Sequence, residues 1–107
     1  MSFTVHYTDE ARSDLLRLFD YLLDQAQTAE DFDAAQEALD TIRSEIEVHL
    51  TRSPFIFRKA TCAPSNPFLR ELLIPFRRGG YVALYEIDGG ERVNILALRH
   101  QLEDDYH

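Results

Sequence analysis

Phe68-Leu69-Arg70-Glu71-Leu72-Leu73-Ile74-Pro75-Phe76, then Tyr81-Val82-Ala83-Leu84-Tyr85-Glu86-Ile87, and finally Val93-Asn94-Ile95-Leu96-Ala97-Leu98-Arg99-His100 form the stretch on which the fold turns. All three runs are dense in Ile, Val, Leu, Phe and Tyr, side chains that suit a pleated, half-buried surface. Gly79-Gly80 and Asp88-Gly89-Gly90 separate them. Glycine tolerates the positive φ of tight hairpin turns, so an antiparallel meander joined by glycine turns is expected.

Upstream of the meander, Ser53 to Pro67 contains Pro54, Pro64, Ser65, Asn66 and Pro67, too many breakers for a regular element, and reads as a long loop. Before it the period changes. Phe32, Ala35, Leu39, Ile42, Ile46 and Leu50 hold a helical spacing that starts at Thr28, with Asp31 three residues on in a near capping-box arrangement. Ala11, Leu15, Leu18 and Leu22, widened by Phe19, Leu23 and Ala26, form an earlier stripe that starts at Thr8 and runs to about Gln25. So short a connection makes the two helices an antiparallel hairpin, apolar stripes inward and acids outward. Phe3, Val5 and Tyr7 alternate with Thr4 and His6 as a short opening strand. The expected fold class is α+β, with the order β-α-α-β-β-β, a polar tail over 101–107, and one domain over 1–107.

Composition narrows the function. A formal charge of −8 argues against strong non-specific nucleic-acid binding, which draws its affinity from neutralised phosphates. The charge is uneven: residues 1–51 carry 3 basic and 12 acidic side chains (−9), residues 52–107 carry 8 and 7 (+1), so a site for an anionic partner belongs in the second half. No apolar run approaches the roughly 18–20 residues of a membrane span, and a cytoplasmic protein with no membrane partner is expected. The single Cys62 has neither a disulfide partner nor zinc-site spacing, and His6 and His49 have no metal-ligand company. No glycine-rich loop precedes a helix, so neither a nucleotide cofactor nor a metal is expected.

The ordered set of Arg70-Glu71-Leu72, Gly80-Tyr81-Val82-Ala83-Leu84-Tyr85 and Ile95-Leu96-Ala97-Leu98-Arg99-His100, closed by Gln101 and Glu103-Asp104-Asp105-Tyr106, resembles the RelE/ParE toxin superfamily, also known as plasmid-stabilisation proteins. The likeness spans nearly the whole chain, including the Thr8-Asp9-Glu10-Ala11 helix start, and is nearer the ParE-like branch. It implies a toxin fold whose concave sheet face meets the target, and a cognate antitoxin as partner. In ribonuclease members an arginine on the corresponding strand stabilises phosphate, and Arg70 is the matching residue here.

Arg70 shares parity with Phe68, Leu72, Ile74 and Phe76, on an apolar face where a guanidinium needs a partner. That partner is either a phosphate or a carboxylate such as Glu86 or one from the tail. Arg99 and His100 are adjacent on a strand and point to opposite faces, so at most one joins Arg70. His100 is apt as a general acid or base, or as a strand-end packing residue, and Tyr106 could supply a terminal hydroxyl. Arg58-Lys59 and Arg77-Arg78 form either a modest basic rim or solvated surface charge.

Three functional readings follow. A ParE-like toxin would bind and inhibit DNA gyrase by protein contact, without a catalytic set. A RelE-like toxin would cut mRNA on the ribosome using Arg70, Arg99, His100 and Tyr106, but Lys59 is the only lysine available to grip RNA. A third reading keeps the fold in a non-toxic binding protein, or pairs two copies as a homodimer through the helical hairpin. Any antitoxin segment touching residues 8–50 should be apolar or basic.

Overall fold

Thr8 and Thr28 start the two helices. In the computed structural model, which describes residues 2–77 and 79–101, strand β1 (Thr4–Tyr7) leads into helix α1 (Asp9–Gln25) and, after three residues, helix α2 (Ala29–Leu50). The Thr8 hydroxyl accepts the Ala11 N–H at 3.2 Å, satisfying one of the orphan donors of a helix start. It also donates to Ile95 O at 2.7 Å, which ties the helix start to the last strand. Thr28 and Asp31 form a full capping box: the Asp31 N–H donates to the Thr28 hydroxyl at 3.1 Å, and the Asp31 carboxylate accepts the Thr28 and Gln27 N–H groups at 3.3 and 3.0 Å. These backbone donors, that of Gln27 first, hold the Asp31 carboxyl below the usual carboxylate range.

Downstream lie β2 (Arg58–Lys59), β3 (Leu69–Phe76), β4 (Gly79–Asp88) and β5 (Arg92–His100). The sheet order is β1-β5-β4-β3-β2, with β1 parallel to β5 and the other pairs antiparallel. The expected meander is therefore β3-β4-β5. The stretch read as loop contains one short strand, β2, held to β3 by the Ala60 N–H to Leu69 O bond at 2.9 Å and the Arg58–Glu71 ion pair at 3.1 Å.

The glycine turns need a correction. No glycine among the described residues has positive φ; Arg77 (φ 52°) and Glu91 (φ 58°) adopt it instead. Gly79 and Gly80 lie inside β4. A Cβ on Gly80 would stand 2.5 Å from the Ile74 carbonyl oxygen, so glycine is required there for close backbone approach rather than for turn geometry.

Ala11, Leu15 and Leu18 of α1 and Leu39, Ile42, Ile46 and Leu50 of α2 pack on one face of the sheet, against Leu72, Ile74, Tyr81, Ala83, Tyr85, Ile87, Val93, Ile95 and Leu98. At about 1.5–3 kcal/mol per fully buried large apolar side chain, this layer dominates the folding energy. A smaller cluster of Ala60, Leu84 and Ala97 lies on the other face under the loop after β2.

Polar side chains complete two seams. β1 pairs with β5 only as far as Ile95, and beyond that point α1 covers the strand edge. There the buried Asp14 carboxylate accepts the Leu98 N–H at 2.8 Å, and Arg17 donates to Leu98 O at 3.3 Å. Two helix side chains thus do for β5 what a neighbouring strand would do. Asp14 is only 1% exposed, against the expectation that the hairpin acids face outward.

Candidate functional site

Strand parity and one bulge decide where the three described candidates, Arg70, Arg99 and His100, lie. Tyr85 is opposite Ile95 but Leu84 is opposite Ala97, so Leu96 is an extra residue in β5. Val93 and Ile95 face the helices, and after the bulge Leu98 and His100 do so, whereas Ala97 and Arg99 face away. Arg70, opposite Tyr85, is also on the helix-facing side. Arg70 and Arg99 therefore occupy opposite faces of the sheet and do not converge.

His100 shares a face with Arg70 but not a location. It pairs with Tyr81, four positions along β4 from Tyr85, which at about 3.3 Å per residue is some 13 Å along the strand. Its ring sits edge-on to Tyr81 with centroids 5.5 Å apart. A Cβ on Gly79 would come within 3.2 Å of the imidazole, so the ring is packed against the strand backbone. Arg99 donates to the carbonyls of His100 and Gln101, both at 3.4 Å. Tyr106, the Glu103-Asp104-Asp105 run and Arg78 lie outside the described residues.

Arg70 is committed to backbone. Its Nε donates to Pro67 O at 2.8 Å, one terminal nitrogen donates to Phe57 O at 2.6 Å, and the guanidinium lies over the Phe55 ring, 5.6 Å from its centroid. Its partners are two carbonyls of the long loop rather than Glu86, which is on the other face, and the tail carboxylates lie outside the described residues. Tyr85 beside it donates its hydroxyl to Pro54 O at 2.6 Å. Burial pushes the Tyr85 phenol far above its ordinary range, partly offset by the Arg70 charge, so the hydroxyl stays a proton-bearing donor. Together the two side chains tie down both ends of the loop that follows α2.

The other basic residues are mostly spoken for: Arg58 pairs with the buried Glu71, and Arg77 with Glu37 at 3.2 Å. His49 meets Glu45 at 2.8 Å, His6 is exposed on β1, and Cys62 is exposed. Among the described residues no three His, Cys, Asp or Glu side chains gather as metal ligands. No described helix is long and apolar enough to cross a membrane.

Two features escaped the sequence reading. Asp14 falls three residues after Ala11 and one before Leu15, within the apolar stripe of α1, with Arg17 three residues on. A charged pair at stripe positions was the legible signal of a buried polar seam. The other is an aromatic group, Phe3, Phe55 and Phe68, whose members are separated along the chain by up to 65 positions and carry no shared period.

The fold is thus an α+β domain in which a helical hairpin covers one face of a five-stranded sheet. The family model of the ParE toxin of the type II toxin-antitoxin system parDE matches residues 5–105, and the chain belongs to that family. Among solved structures it is similar to a chain from the chromosomal ParDE TA system from P. aeruginosa, with a TM-score of 0.68 and 17% identity, over 92% of this chain and 95% of that one. No curated protein gives a significant sequence match.

Proposed function

We propose that this ParE-family chain is a cytoplasmic toxin that arrests growth by protein contact with DNA gyrase and is neutralised by a cognate antitoxin. One observation supports the choice of contact over catalysis: among the described residues, the candidate nuclease side chains are dispersed. Arg70 is spent on Phe57 O and Pro67 O, Arg99 is on the opposite face, and His100 packs on Tyr81 and Gly79. A nuclease needs its phosphate-stabilising and proton-transferring groups within hydrogen-bond reach of one scissile bond. The lone lysine and the −8 charge support the same reading.

The antitoxin would meet the helical hairpin, where Leu16, Tyr21, Phe32 and Val48 stand exposed on a strongly acidic surface. Apolar anchors on an acidic ground favour an apolar or basic partner segment, and its affinity should fall as salt rises. An antitoxin whose binding is indifferent to salt would remove the electrostatic part of this idea.

Tight induction in a bacterial host carrying a DNA-damage reporter tests the target. Gyrase poisoning predicts a strong reporter rise as growth slows, preserved in Arg99→Ala and His100→Ala. Growth arrest with a silent reporter and cleavage inside translated messages would replace this reading with ribosome-dependent mRNA cleavage. Undiminished growth would leave a non-toxic binding protein.

A further inference from the structure

Residues 51–71 have a composition unlike the rest of the chain. Arg52, Arg58, Lys59 and Arg70 stand there with a single acid, Glu71, a balance of +3 in a protein of net −8. The same segment displays three large apolar side chains: Phe55 (46% exposed), Ile56 (74%) and Phe68 (51%). Phe55 and Phe68 are one surface rather than scattered residues, and Ile56 adjoins them in the chain. Phe55 is in edge contact with Phe3 at 6.4 Å and with Phe68 at 6.2 Å between centroids, the Arg70 guanidinium lies over Phe55, and Ile56 follows Phe55 in the chain. Lys59 is opposite Arg70 in the β2–β3 ladder.

This corner is also rigidly built. Pro54 O is held by the Tyr85 hydroxyl, and Phe57 O and Pro67 O by Arg70, so the backbone that presents Phe55, Ile56 and Phe68 is pinned from beneath. A loop with no purpose at the surface would be expected to bury such side chains or replace them with polar ones, and preorganisation lowers the ordering cost of binding. Glu71 offsets Arg58 within the corner, Glu45 is paired with His49, and Glu86 belongs to the other sheet face.

We infer that this corner is a docking site for an acidic protein segment bearing bulky apolar side chains, separate from the acidic surface of the helical hairpin. Charge complementarity selects the occupant: Lys59 stands opposite Arg70, Arg52 lies three residues before Phe55 in the same segment, and Arg70 over the Phe55 ring adds a charge that carbonyl oxygens do not neutralise. The aromatic geometry disfavours nucleic acid. Base stacking needs open ring faces, whereas the Arg70 guanidinium covers one face of Phe55. Bulky aliphatic Ile56 at the most exposed position likewise suits a side chain better than a base.

The test is fluorescence anisotropy with the full chain and three labelled probes: a peptide of alternating Glu and Leu, its Lys-Leu counterpart, and a single-stranded oligonucleotide of equal length. The Glu-Leu peptide should bind in preference to both others, more weakly as salt rises. Ile56→Ser, and separately Arg52→Glu with Lys59→Glu, should each weaken it by about tenfold, as loss of a contributing interface side chain does, with unchanged thermal melting. All three positions are exposed, so folding should tolerate the changes. Preference for the oligonucleotide, equal binding of both peptides, or no binding overturns the inference. So does concentration-dependent self-association abolished by Ile56→Ser, which would make a second copy the occupant. Because these readouts involve neither gyrase nor growth, they succeed or fail independently of the toxin's target.

Discussion

Two seams join covering segments to the same sheet, and they use opposite chemistry. Where α1 meets β5, a buried carboxylate, Asp14, satisfies a strand N–H, with Arg17 serving the carbonyl of the same residue. Where the loop after α2 meets β3 and β4, two donors, the Arg70 guanidinium and the Tyr85 hydroxyl, satisfy loop carbonyls. The first seam lies inside the main core, between a helix and a strand edge, so its failure should propagate to the whole fold. The second lies at the rim, and its failure should release only the loop. A carboxylate is needed where the backbone presents donors, and a guanidinium or phenol where it presents acceptors.

Asp14→Ala would test the contrast most severely. It leaves the Leu98 N–H buried without its acceptor, which should cost about 2–3 kcal/mol. Urea denaturation should show a lower midpoint at unchanged slope. A loss too small to measure would mean that apolar packing alone holds α1 to β5.

Arg70→Ala should cost less, about 1–2 kcal/mol, for a partly exposed guanidinium with two backbone bonds. Its signature is local: faster amide exchange and proteolysis across residues 52–68, with protection of β4 and β5 retained. Global unfolding in step with the loop would erase the distinction between the seams. Tyr85→Phe removes one hydroxyl and leaves Pro54 O unbonded, a cost of about 1 kcal/mol with loosening confined to the start of the loop. Loosening that extends equally to residues 64–68 would show that the two donors act as one unit.

The smallest effect is on pH. Asp31 and Asp88 are both held below the usual carboxylate range by backbone N–H groups, Gln27 and Gly90 being the leading donors. A carboxyl with a lowered folded value contributes fully above its unfolded value, about 3.9, and the contribution disappears as pH falls through the folded value. Amide protection at the α2 N-terminus and the β4–β5 turn, relative to the intrinsic exchange rate at each pH, should therefore fall at acid pH before either seam opens. Simultaneous opening of the seams would show that the caps and seams are coupled.

Much of this architecture was legible in the chain. The caps at Thr8 and Thr28, the helix stripes and the three-strand meander all rest on local periodicity and on hydroxyl or carboxylate groups within a few residues of the N–H groups they serve. The two-residue β2 was not, because it is too short to show a period and exists only through its pairing with β3. Positive φ at Arg77 and Glu91 rather than at the glycines was equally hidden, since Gly80 is required by the Ile74 carbonyl across the ladder.

The candidate residues fared as the physics would suggest. That Arg70 has an apolar-face position, and that Arg99 and His100 cannot share a face, follow from strand period alone. Which of the two shares the face of Arg70 was decided by the bulge at Leu96, a product of register between β4 and β5. The sequence by itself determined the order of every element except β2, the helix boundaries and the uneven charge, because these depend on neighbours within a turn or a pleat. Only the tertiary structure decided that Asp14 is buried against Leu98, that Arg70 is bound to loop carbonyls, and that Phe3, Phe55 and Phe68 form one surface. Each of these joins residues far apart in the chain, and no local pattern records a contact made only when the sheet closes.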